Sequence, residues 1–277
     1  QQSSFQVQPR QKHPQNPAKS LFVMLPLHKS GPGERVKRHG SGLRTFSFLP
    51  QYLRRLVKPS QMDFEYCFWL MLQLCISPKT AYKSTTYHKK TKNQWARDDP
   101  AFVCVCCILL AISASAYCIT FGDGFWSSLL TMASCVFVDF LLVGCLIATA
   151  GWFISNRFLR KKQMHSHAVE QHVEWLYAFD IHCNSYFPLF ILLYVCQFFA
   201  SPFLLWHSFL SSVISVVLYC FSLTLYHYLT FLGYSALPFL EHTEVFLWPV
   251  GVIFFMIPFA LITGFNPTRF TLDIYFG

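Results

Sequence analysis

Five apolar runs, at residues 102–121, 127–154, 186–206, 209–232 and 245–265, constrain this chain more than any other feature. At about 1.5 Å of rise per helical residue, each is long enough to cross a hydrocarbon core of roughly 30 Å. None alternates with the period of two that an outer-membrane barrel needs, and apolar residues surround every face, so helices are the way to satisfy the backbone in lipid. The sequence therefore predicts an all-α membrane protein with a five-helix transmembrane bundle. The 53% hydrophobic and 18% aromatic content agrees, because 277 residues of such composition are hard to hide in a soluble domain.

Charge orients the bundle. Residues 1–99 hold 17 of the 22 Lys and Arg and 5 of the 13 acidic residues, a net +12, which leaves the membrane part slightly acidic. The loop after the first run carries Asp123 and no basic residue, whereas the loop after the second carries Arg157, Arg160, Lys161 and Lys162. Positive charge stays on the cytosolic side. The N-terminus and the loops near 155–185 and 233–244 are thus expected in the cytosol, with the tail at 266–277 in the lumen.

Four regions follow. Residues 1–60, rich in Gln, Pro, Ser, Gly, Lys and Arg without sustained periodicity, read as a largely disordered basic region. They lack the charged, apolar and small-residue order of a cleaved signal peptide, and Met24 is a candidate initiator that peptides from upstream of it would rule out. Residues 61–99 combine an apolar segment, Phe64 to Ile76, with a basic and aromatic stretch holding Lys79, Tyr82, Lys83, Tyr87, Lys89, Lys90, Lys92, Trp95 and Arg97. The apolar segment is too short to span. It fits either an interfacial helix, with Phe68 and Trp69 in the cytosolic leaflet and basic flanks held by anionic headgroups at about 1 kcal/mol per charge, or a helix packed on the bundle. The basic stretch reads as a membrane-surface anchor, with nucleic-acid binding the other use of such a composition. Asp98, Asp99 and Pro100 then start the transmembrane domain at 100–265, Asp99 as N-cap and Pro100 in the first turn.

Chemistry-bearing residues are few. Eleven cysteines lie mostly in spans or on the cytosolic side, where thiols stay reduced, so no disulfide framework is expected. Cys104, Cys106 and Cys107 lack zinc-ligand spacing and read as small packing residues. Asp139, near the middle of the second run, must face the bundle, either in an interhelical hydrogen bond or in proton or cation passage. His165, His167, His172 and His182, with Glu174 and Asp180, resemble in kind the ligands of membrane metal-dependent enzymes, yet match neither HExxH nor repeated HxxHH spacing. There is no GxSxG, no phosphate loop and no cofactor motif. Gly233 and Pro238 read as a break ending the fourth helix, with Tyr234 at the interface.

One stretch makes a family visible. SPKTAYKSTTYHKKTKNQWARDDPAF, from Ser77 to Phe102, strongly resembles the Unc-50 family of Golgi membrane proteins. So do Gln61 to Glu65, LIATAGWFISNRFL from Leu146 to Leu159, VEWLYAFDIHCN from Val173 to Asn184, and TFLGYSALPFL from Thr230 to Leu240, in the family's order from about residue 52 to 250. Residues 1–51, the Cys-rich first run, the added His165, His167 and His172, and the tail from Arg269 to Gly277 depart from the family pattern.

The resemblance implies a five-span protein of the Golgi and early secretory pathway, with relatives also at the inner nuclear membrane. It implies support for delivery of multi-subunit receptors, notably acetylcholine receptors, to the cell surface, association with large Arf exchange factors, and RNA binding, for which the basic N-terminal region is the candidate. The resulting expectation is a non-enzymatic Golgi adaptor without a cofactor or metal, surrounded by membrane lipid. Its composite cytosolic surface comprises Trp95, Arg97, Asp98, Asp99, Glu174, Trp175, Asp180, His182, Asn184, Gly233, Tyr234 and Ser235. The rival readings are a metal-dependent enzyme using the histidine-rich loop and a small-solute transporter using Asp139.

Overall fold

The computed structural model describes residues 62–83, 95–97, 99–161 and 171–276. The expected disorder of residues 1–60, the basic residues at 84–94, Asp98, and His165 and His167 lie outside the described residues.

A 13-residue helix, α1 (Phe64–Ile76), precedes five helices long and apolar enough to cross a membrane: α2 (Ala101–Phe121), α3 (Phe125–Phe158), α4 (Trp175–Leu204), α5 (Phe209–Ser235) and α6 (Trp248–Ile262, entered through the 3₁₀ turn Thr243–Leu247). A last helix, α7 (Pro267–Phe276), follows. The chain is a multi-pass, all-helical membrane protein over the described residues.

Helix α4 is the hub: it packs against α3 and α5, and more lightly against α1 and α2. It starts at Trp175, well before the apolar run at 186, so the VEWLYAFDIHCN stretch expected in a cytosolic loop forms the first turns of the third span. Hydropathy hid this start because Asp180, His182 and Asn184 are polar, and folding pairs Asp180 with Arg97 and His182 with Tyr226. All residues from Tyr177 to Pro188 are buried. By contrast α6, the most uniformly apolar span, has no buried residue.

Both α3 and α4 widen to π-helical geometry, at Ser134–Leu142 and Ile191–Cys196. Such segments re-aim side chains at the cost of regular hydrogen bonding. Helix α7 folds back along α5: Thr268 meets Ser215 at 2.8 Å, and Thr271 accepts from the Tyr219 hydroxyl at 3.0 Å. Asn266 and Arg269 close the turn by donating to the carbonyls of Leu204 and of Leu205 and Trp206. The segment expected as a short lumenal tail is therefore a docked helix, since its hydroxyls and Arg269 find partners on the bundle.

Helix α1 buries Cys67, Leu70, Met71 and Leu74 against the bundle and exposes Phe64, Phe68, Trp69, Leu72 and Ile76. It packs on the bundle, and its outward apolar face holds the Phe68 and Trp69 of the interfacial reading. Asp63 caps it, accepting from the Tyr66 amide at 3.0 Å. Burial pushes the Cys67 thiol up to about 11.

Candidate functional site

The five motif segments meet at one end of the bundle, which also carries Arg157, Arg160 and Lys161 and is called the basic end below. Glu174, just before α4, accepts from the amides of Trp95 and Ala96 at 3.3 and 3.1 Å. Two turns further along α4, Asp180 accepts from the Arg97 amide at 2.7 Å and pairs with its guanidinium at 3.2 Å. That guanidinium also lies 4.4 Å from the Phe102 ring centroid. An ion pair this enclosed needs its desolvation offset, and here the Arg97 amide gives the carboxylate a second hydrogen bond while the Phe102 ring faces the guanidinium.

Asp99 joins two helices. One of its oxygens accepts from the Ala101 amide at 3.0 Å, at the entry to α2, and the other from the Asp63 amide at 2.7 Å, at the entry to α1. The N-cap position falls one residue later than expected, on Pro100, and Asp99 instead ties the first helical amide and holds α1 as well. Trp95 is buried between Tyr177 and Phe239, with ring centroids 6.2 and 6.1 Å away. The phenol of Tyr82 is buried beside Asn184 and Ser185, and that burial raises its pKa well above the usual range.

Glycines set the spacing of the inner helices. A Cβ on Gly144 would stand 2.5 Å from His182 Nε2, and one on Gly151 would collide with the Tyr234 hydroxyl. Tyr234 is buried, not interfacial, and stacks on Phe246 at a 4.0 Å centroid distance. Gly233 offers its carbonyl to the Tyr177 hydroxyl at 2.8 Å, while Ile181 fills the space a side chain there would need. His182 hydrogen-bonds through Nδ1 to the Tyr226 hydroxyl at 2.8 Å. Asn156 clasps the backbone of Val173 through both side-chain atoms, at 2.9 and 3.0 Å. Two backbone bonds, Lys161 to Phe239 and Glu241 to Leu159, tie the end of α3 to the loop after α5.

The residues expected on one surface thus divide. Trp95, Asp180, His182, Asn184, Gly233 and Tyr234 are buried, Arg97, Asp99 and Glu174 are half-buried in bonds to other motif residues, and Trp175 and Ser235 are exposed. Trp175 donates to Thr149 at 3.0 Å and stacks on Phe179. Residues that sequence reasoning missed complete the outer face of this end: Glu241, His242 and Glu244 are exposed, next to the exposed Pro238. His242 is the one described non-glycine residue in left-handed backbone geometry, φ 56°. The polar loop composition before α6 was the signal that could have found them.

Away from this end, Asp139 accepts from the Tyr275 hydroxyl at 2.5 Å, within the π-helical part of α3. Of its two predicted roles, this geometry supplies the interhelical hydrogen bond. His172 is exposed and His182 buried with Tyr226, and among the described residues no three His, Cys, Asp or Glu come together as a metal site. All eleven cysteines are free thiols.

The model of the UNC-50 family matches residues 52–276. The chain belongs to the UNC-50 family. It is 48% identical over 259 residues to the unc-50 homolog of Dictyostelium discoideum, covering 92% of this chain and 99% of that one. It is 41% identical to unc-50 of Caenorhabditis elegans, over 84% and 76% of the two chains, and 39% identical to the Homo sapiens homolog, over 86% and 89%. No solved structure matches. The family match extends through α7, so the tail that departs from the family's motifs lies within the UNC-50 region.

Proposed function

We propose that this UNC-50 family member is a non-enzymatic adaptor of the Golgi membrane that supports transport of multi-subunit receptors, such as acetylcholine receptors, to the cell surface. It does so by binding Arf exchange machinery at the basic end of the bundle, which faces the cytosol. The observation that carries this reading is the contrast between inner and outer residues at that end. Its charged motif residues hold the ends of α1, α2 and α4 in one arrangement, and backbone bonds to the end of α3 and the Trp95 ring hold the loop after α5. That frame presents Trp175 at the start of α4, Ser235 at the end of α5, and Pro238, Glu241, His242 and Glu244 on the braced segment that follows, all outward.

A braced surface suits docking, because little conformational freedom is lost on binding. The membrane anchor supplies the rest: tethering raises the local concentration of a weak soluble partner to about millimolar without a tight interface. The basic N-terminal region is the proposed contact for RNA, and the inner nuclear membrane a second location.

The test is quantitative affinity purification from Golgi membranes, comparing the chain with a Glu241→Ala, His242→Ala, Glu244→Ala variant. Recovery of an Arf exchange factor or coat component that falls at least tenfold in the variant is expected. Equal recovery by both forms would remove the loop as the docking surface, and recovery of no trafficking component by either would overturn the adaptor reading.

A further inference from the structure

A cavity of about 200 Å³ opens inside the membrane domain near the basic end. Its back wall is α4 and α5, at Ile181, His182, Tyr226 and Thr230, and its flanks are α3, at Ile147, Ala150 and Ile154, and the start of α6, at Phe246 and Pro249. Helix α5 packs against both α4 and α6, and α4 against α3, but α3 and α6 share no comparable packing. The open side therefore lies between α3 and α6, where Ile147, Ala150 and Pro249 are exposed. His227, another lining residue, sits eight residues before the end of α5, or about 12 Å deep at 1.5 Å per residue, inside the leaflet at the basic end.

The lining presents carbon. His182 bonds through Nδ1 to the Tyr226 hydroxyl, while its Nε2 is turned to Gly144 on α3 and has no hydrogen-bond partner among the described residues, and Thr230 bonds to Ser185 and to the Tyr226 carbonyl at 3.1 and 2.9 Å. One unpartnered nitrogen is too little to hold an ordered water, which needs about two to four polar partners, and apolar voids of similar size stay dry. The volume is also below the roughly 300 Å³ at which pockets for drug-sized molecules begin, which suits a segment of flexible chain better than a fused-ring body. Beyond the mouth the two flanks differ in charge. Arg157 stands exposed one turn past Ile154 on α3, and Glu244 stands exposed beside Val245 at the start of the other flank.

We propose that this cavity is a lateral binding site for one acyl chain of a glycerophospholipid whose headgroup carries both a phosphate and an amine. The chain lies between α3 and α6, the phosphate faces Arg157 and the amine faces Glu244. Neither the fold of the bundle nor the adaptor reading requires such a site.

The experiment uses the purified full chain in phosphatidylcholine nanodiscs doped with phosphatidylethanolamine bearing a mid-chain diazirine, with crosslinked peptides mapped by mass spectrometry. Labelling should concentrate at residues 147–154 and 245–249, and should fall at least tenfold in Ala150→Trp, which fills the mouth. Leu146→Trp, on the same helix but outside the cavity, should leave it unchanged. Ile147→Ala, which widens the entrance without adding bulk, should retain or raise labelling, and so keeps the test decisive if Ala150→Trp does not fold. Arg157→Gln should lower competition by unlabelled phosphatidylethanolamine several-fold. Labelling spread evenly over exposed α6 residues such as Phe255, or unaffected by Ala150→Trp, would overturn the site. Equal or better competition by phosphatidylglycerol or cholesterol would overturn the proposed ligand.

Discussion

Helices α4 and α6 both span the membrane, yet they are built on opposite plans. Helix α4 contains Asp180, His182, Asn184, Ser185 and Gln197, all buried, while α6 contains Phe254, Phe255, Met256, Phe259 and Ile262, all exposed. In water the second set would be the core. In a bilayer, lipid tails are as apolar as any side chain, so hydrophobicity draws no helix inward, and hydrogen bonds and close packing decide which helix becomes central. The polar residues of α4 are its means of association, and the uniform apolarity of α6 marks it as the helix that meets lipid.

The sharpest way to break this contrast is Asp180→Ala, which leaves the Arg97 guanidinium enclosed without its carboxylate. A loss of about 3–5 kcal/mol is expected in detergent unfolding. The double variant with Arg97→Ala should lose clearly less than the sum of the singles, whereas strict additivity would mean that the pair does not couple.

Packing comes next. Gly151→Ala drives a methyl into the Tyr234 hydroxyl and should cost about 1–3 kcal/mol. Because the colliding atom is that oxygen, adding Tyr234→Phe should recover part of the loss, and no recovery would place the fault elsewhere on α3.

Tyr275→Phe removes one neutral donor from Asp139 and should cost about 0.5–1.5 kcal/mol. Asp139→Asn, which keeps an acceptor for Tyr275, should stay close to the parent chain. A collapse of stability in Asp139→Asn would mean that the carboxylate does more than accept this bond. The smallest effect belongs to α6: Phe255→Leu, on a face left exposed by the described residues, should change stability by no more than about 0.5 kcal/mol. A larger loss would show that this face is covered by something other than lipid.

The failures of sequence reading follow the same physics. Hydropathy finds helices by their contact with lipid, so it located α2, α5 and α6 to within a few residues and began the third span at 186. The true start, Trp175, lies among residues that are polar because they face protein. Helix α7 was missed for a related reason: ten residues holding Arg269 and Asp273 look like a tail until Asn266, Thr268 and Thr271 are seen bonded to the bundle.

At the basic end, the structure brings the motif segments together but buries many of the residues expected on its surface. Trp95, Asp180 and Tyr234 look like surface determinants when read one at a time, and they are buried because each finds its partner in another segment. The Arg97 to Asp180 contact bridges 83 positions.

What the sequence by itself determined is the solvent of this protein and the family it joins. Long apolar runs have only one low-energy surrounding, and the charge beside them biases which end faces the cytosol. Tertiary structure alone decided which polar residues look inward, that α7 returns to the bundle, and that a cavity opens between α3 and α6. Those outcomes depend on pairings between residues far apart in the chain. A local pattern shows that a residue needs a partner, but only the folded packing shows which partner it finds.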